Sequence, residues 1–161
     1  MAVLALVIGG VGLLVHRSHN SKTDVLGAQT TRYFPSDITS ANMSIPAYYP
    51  ASLPQGWTVG NFKVLKQNVL YYSITTSNHD NYYATIQPLP TGFDFVAFEK
   101  KFIQPDKYTT QIGDNTVGQV GNSLLASIRT NQNVWVLINS TAVTRAADLE
   151  TITRSLKQVN L

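Results

Sequence analysis

Val69–Ile86 reads VLYYSITTSNHDNYYATI, and its alternation decides the fold class. In an extended chain successive side chains point to opposite faces. Leu70, Tyr72 and Ile74 therefore share one face, and Val69, Tyr71, Ser73 and Thr75 the other. Asn78-His79-Asp80-Asn81 is turn chemistry. Tyr82, Ala84 and Ile86 then line one face of a returning strand, so the two runs predict a β-hairpin. Pro88 and Pro90 end it, because proline has no N–H for a ladder.

The flanks extend this pattern. Upstream, Pro54-Gln55-Gly56 is a turn, and a first strand is expected from Trp57 to Leu65. Downstream, Asp94–Phe102 predicts a short helix. Asp94 is placed as its N-cap, and Phe93 and Phe98 as a hydrophobic staple. Phe95, Phe98 and Phe102 recur at helical spacing. Tyr108–Ile112 and Thr116–Val120 predict strands, with turns at Gly113-Asp114-Asn115 and Gly121-Asn122. Leu124, Ala126 and Ile128 alternate with Ser123, Ser127 and Arg129. After Asn131-Gln132-Asn133, Val134–Ile138 is apolar on both faces, the mark of a central strand covered on both sides. Thr144 is read as the cap of a last helix reaching Gln158, with Leu149, Ile152, Leu156 and Val159 as its apolar stripe. Trp57 and Trp135 are read as core. The expected class is α+β: an antiparallel sheet of about six or seven strands with the C-terminal helix packed on one face, preceded by a single transmembrane helix.

That membrane helix is the reading of residues 1–15, MAVLALVIGGVGLLV, which carry no charge. As a helix they span about 22 Å at about 1.5 Å per residue, short of a bilayer core of about 30 Å. The run has no polar face, which disfavours a core helix, and no positive region or close cleavage site, which disfavours a cleaved signal peptide. Residues 1–15 are thus expected to be a transmembrane anchor or uncleaved signal segment, and 16–44 a polar juxtamembrane linker. Residues 45–161, the size of one ordinary domain, are expected to form an extracytoplasmic α+β domain. Arg17 and Lys22 follow the apolar run, and by the positive-inside rule alone would hold that domain in the cytoplasm. The composition argues outward: charged residues are 13% against about 25% in ordinary soluble domains, with Ser, Thr, Asn and Gln in their place. The expected location is the cell membrane, single-pass, with the C-terminal domain outside.

The chemistry of the chain is sparse. It has no cysteine, which excludes disulfides, thiolate catalysis, Cys-bound zinc and a lipidated cysteine. No phosphate-cradling glycine motif, nucleophile elbow or zinc-binding helix motif is present. His16 and His19 are three apart without a further ligand nearby. His79 is the one histidine of residues 45–161 and falls in the hairpin turn. Most acidic residues sit where caps and turns want them, and Glu99 and Asp106 are one of many pairs that can approach each other. No catalytic residue, metal or cofactor is expected. The net charge is +3, with the basic residues scattered where a nucleic-acid footprint would cluster. The binding candidates are Tyr71 and Tyr83, read as pairing across the hairpin on its outward face, with Lys63, Lys66 and Arg129 near them.

Several short motifs recur in order. They are Tyr49-Pro50-Ala51-Ser52-Leu53-Pro54-Gln55-Gly56-Trp57, Tyr71-Tyr72, Gly113-Asp114-Asn115-Thr116-Val117-Gly118, Trp135-Val136-Leu137-Ile138, and Asp148-Leu149 through Ser155-Leu156. In this order the chain from Tyr48 onward resembles a family of bacterial extracytoplasmic domains with an L-P-x-G-aromatic opening motif. Such domains often follow one membrane span and sometimes accompany anti-sigma-factor-like regions. The resemblance implies an exported, membrane-anchored domain and carries no catalytic residues. No anti-sigma-like region precedes the apolar segment here. The expected function is a non-enzymatic binding or sensing module of the cell envelope, touching the membrane through residues 1–15 and recognising a protein, peptide or wall polymer. The rivals are a surface module for single-stranded nucleic acid, in DNA uptake or pilin-like, and a hydrolase using His79.

Overall fold

A computed structural model describes residues 24–25, 43–65, 68–102, 106–110, 112–120, 123–140 and 145–159. The apolar segment 1–15, most of the linker 16–44, Lys66, the Gly121-Asn122 turn and the Thr144 cap lie outside them. No helix among the described residues is long and apolar enough to cross a membrane.

The strands are β1 (Asp24–Val25), β2 (Ala47–Pro50), β3 (Thr58–Leu65), β4 (Val69–Thr75), β5 (Asn81–Pro88), β6 (Asp106–Thr110), β7 (Gly113–Val120), β8 (Ser123–Thr130), β9 (Val134–Ser140) and β10 (Leu156–Val159). Helix α1 (Phe95–Phe102) lies between β5 and β6, and α2 (Ala146–Ser155) between β9 and β10. Eight strands form one sheet in the order β1-β3-β4-β5-β9-β8-β7-β6, and β10 and β2 form a second, two-stranded sheet. Every neighbouring pair is antiparallel. The large sheet is thus two meanders, β3–β5 and β6–β9, joined where β5 pairs with β9. Asp24 and Val25 pair with Val59 and Thr58 at one edge.

The quoted hairpin forms with its alternation intact. Leu70, Tyr72, Ile74, Tyr82, Ala84 and Ile86 are all fully buried on one face. There they join Val136 and Ile138 of β9, Ala126 and Ile128 of β8, and Leu149, Ile152 and Leu156. Helix α2 and the small sheet cover this face. Two phenols tie the cover down: Tyr72 Oη donates to the Tyr48 carbonyl (3.1 Å) and Tyr82 Oη to Asp148 Oδ2 (3.2 Å). Tyr49, Phe62 and Tyr72 bring their rings within 5.6–5.7 Å of one another. Phe62 lies within a bulge in β3 between Gly60 and Lys63, where Asn61 takes φ 56°, a left-handed conformation that asparagine tolerates.

The opposite face of β9 carries Trp135 and Leu137, buried with Phe95 beneath α1. The helix starts as its residues predict. Asp94 Oδ1 accepts the Ala97 N–H at 2.8 Å, and the Phe93 and Phe98 rings meet at 5.6 Å.

Two expectations about boundaries are corrected. Gly113-Asp114-Asn115 is not a turn but the start of β7, pairing with Thr130, Arg129 and Ile128. Gly113 takes φ 148° there, and a Cβ on it would run into the Arg129 carbonyl oxygen. The glycine serves close backbone approach within a ladder. The last helix ends at Ser155 rather than Gln158. Leu156 turns to φ −63°, ψ 132°, and Leu156–Val159 pairs with Pro50–Ala47. Thr153 and Ser155 hydroxyls donate to the carbonyls of Glu150 and Ile152, occupying acceptors at the helix end. The free edge of β2 supplies the alternative partner.

Candidate functional site

The structure brings three of the five sequence candidates together, and Lys66 lies outside the described residues. Lys63 stands opposite Tyr71 in the β3–β4 register, and the Tyr71 and Tyr83 rings stack at 5.9 Å and 15°. The pair is diagonal, because Tyr71 is opposite Thr85 and Tyr83 opposite Ser73. Arg129 is elsewhere: it lies on β8 between Trp135 and Asp114. Two strands separate β8 from β4, so Arg129 stands about 14 Å from Tyr71 across the sheet.

The outward-facing reading of Tyr71 is corrected as well. Its side chain is only 5% exposed, and Ser73, Thr116 and Ser127 on the same face are also buried. The second face is buried at this place, and the stacking face of Tyr71 is not presented to solvent. Burial, and secondarily the neighbouring Tyr83, push the Tyr71 phenol above its ordinary pKa. Tyr72, on the core face, is raised by burial and by Tyr49.

His79 is exposed at the hairpin tip with φ 65°. The tip is held by its backbone and by Thr76. The His79 N–H donates to the Thr76 carbonyl (3.0 Å), the Thr76 N–H donates to the Asp80 carbonyl (2.9 Å), and Thr76 Oγ1 accepts the Asn78 and Asp80 N–H groups. Glu99 is buried on α1, four residues after the buried Phe95, while the Asp106 side chain is outside the described residues. No group of three or more His, Asp or Glu able to hold a metal occurs among the described residues.

A different place collects polar side chains. A cavity of about 260 Å³ lies where the small sheet meets the ends of the large one, lined by Tyr48, Ile112, Asn131, Gln132, Lys157 and Gln158. The walls come from four separate stretches of chain and are fixed to one another. The Asn131 N–H donates to the Ile112 carbonyl at 3.1 Å. Gln132 Nε2 donates to Gln158 Oε1 at 2.9 Å, and Gln158 is opposite Tyr48 in the β10–β2 register. Gly113 contributes indirectly, since its lack of a Cβ lets β7 start against the Arg129 and Thr130 backbone. That approach sets Ile112 beside Asn131. Sequence reading passed over these residues because they sit in turns, in extended stretches read as ordinary strand or entry, and in a strand it took for helix. The Asn131-Gln132-Asn133 run was the available signal, and turn chemistry explained it fully.

Compared with protein-family models, curated proteins and solved structures, the chain matches none. The fold and cavity define it as an α+β domain whose antiparallel sheet has a helix on each face and a small polar recess at one end.

Proposed function

We propose that this chain is a membrane-anchored extracytoplasmic domain that binds or senses a component of the cell envelope and is not an enzyme. The recess between the two sheets carries this reading. Its lining is three carboxamides, a phenol, an ammonium and one aliphatic side chain. Carboxamides offer hydrogen-bond donors and acceptors without exchanging protons near neutral pH, so the set suits holding a polar ligand more than activating a nucleophile. The fixed walls add preorganisation, which lowers the cost of binding. Anchoring is supported by the uncharged run of residues 1–15 and export by the low charge of the remainder.

The test is topology. A reporter active only outside the cytoplasm is fused after Leu161 in cells expressing the full chain. We expect an active reporter and a domain open to external protease. An inactive reporter with a protected domain would overturn the reading and place the domain's partners inside the cell.

A further inference from the structure

We infer that the recess between the two sheets is a site for a sugar acid, a hydroxyl-rich ring bearing one carboxylate. The inference rests on the binding-module reading above and names its ligand class. Lys157 is the single charged residue of the lining among the described residues. It is exposed on β10 and makes no ion pair among the described residues. Among the described residues no carboxylate lines the recess, so its charge favours one anionic group on the ligand.

The remaining lining selects against a bare inorganic anion. Asn131, Gln132 and Gln158 each carry a carbonyl oxygen as well as an NH₂ group. Around a phosphate or sulfate those oxygens would face oxygens of like charge. Sugar hydroxyls both donate and accept, and so satisfy either end of a carboxamide. Tyr48 supplies a phenol. It is 2% exposed and lines the recess, yet its hydroxyl makes no hydrogen bond among the described residues. A phenol hydroxyl at the recess can both donate to and accept from a ligand hydroxyl. Size agrees as well. The recess, about 260 Å³, falls just under the range of about 300–1,000 Å³ for drug-sized ligands, which suits one ring. With Ile112 as its single aliphatic wall, it offers little to an apolar peptide side chain.

The experiment is an NMR titration of the ¹⁵N-labelled full chain in detergent micelles, with glucuronate, glucose and lactate as separate probes. Glucuronate is expected to give saturable shifts centred on the backbone amides of Ile112, Asn131, Gln132, Lys157 and Gln158. Glucose, which lacks the charge, and lactate, which lacks the ring, are expected to bind about tenfold more weakly. Lys157→Gln should weaken glucuronate about tenfold and leave glucose unchanged. Gln132→Ala should weaken both sugars, and its dispersed spectrum would confirm that the fold is kept. Equal affinity for lactate and glucuronate would overturn the assignment, as would absence of saturation or shifts centred on another surface. Such a failure beside an active export reporter retires the sugar acid alone. An inactive reporter retires the exported module, whatever glucuronate does.

Discussion

Val136 and Ile138 leave β9 on one side of the sheet, Trp135 and Leu137 on the other, and the two sides are built differently. The first side is closed by elements distant in sequence. β2, α2 and β10 arrive from opposite ends of the domain and are tied to it through Tyr72, Tyr82 and the β2–β10 ladder. The second carries a compact group of rings around Trp135, with Phe93 at 4.7 Å and Phe98 at 5.1 Å. Those rings come from one helix of eight residues and the loop before it. A helix that short is marginal in isolation and depends on its cap and its packing. The comparison teaches that one face of β9 answers for the cooperative stability of the domain, whereas the other is a local attachment with its own weaker equilibrium.

The sharpest way to break this comparison is Ile138→Ala. Truncating a fully buried aliphatic side chain costs about 2–5 kcal/mol, and here the loss should appear in global unfolding by denaturant, with every probe moving together. A loss confined to one segment would refute the cooperative reading of that face. Next in size is Tyr72→Phe, which removes the hydrogen bond to the Tyr48 carbonyl and leaves that acceptor buried, for about 1–3 kcal/mol. The same residue makes a pH prediction. Its phenol is raised in the folded state above the ordinary 10.0, so the folded chain holds a proton that the unfolded chain releases. Its contribution is complete below pH 10 and is lost as pH rises beyond it. Alkaline denaturation of Tyr72→Phe should therefore be less steep than that of the parent chain.

The other face should respond more mildly. Trp135→Phe keeps a ring but removes the indole N–H donated to the Ser127 hydroxyl at 3.0 Å. About 1–2 kcal/mol is expected, read by denaturant. The smallest effect is Asp94→Ala, which removes the N-cap of α1 and should cost about 1 kcal/mol. Amide exchange should quicken along 95–102 while β4, β5 and β9 keep their protection. Uniform quickening across the sheet would show that α1 belongs to the same cooperative unit as the core.

What could be read in advance follows the same division. The hairpin β4–β5, the central β9, and the cap and staple of α1 were legible, because strand alternation and helix capping are local signals. The burial of Tyr71 was not. Period-2 alternation says that Tyr71 and Tyr72 face oppositely, and nothing in it says that both faces are covered. The end of α2 was hidden for a related reason. Leu156 fits the helical stripe of Leu149 and Ile152 and fits β10 equally well, and β2, about a hundred residues earlier, decides between them. The recess around Tyr48 and Gln158 depends on that decision, which is why residue patterns pointed instead to the aromatic hairpin.

The pairing of β5 with β9 has a kinetic consequence. Each meander grows by short reversals of the chain, whereas Tyr82 must find Ser140 and Pro88 must find Val134 across the whole of α1 and the second meander. Closing that large loop spends chain entropy before contacts reward it. The rate of folding should therefore hinge on β5 meeting β9. Conservative truncations such as Ile86→Val and Val136→Ala should slow refolding, whereas changes near the β6 edge should mainly hasten unfolding.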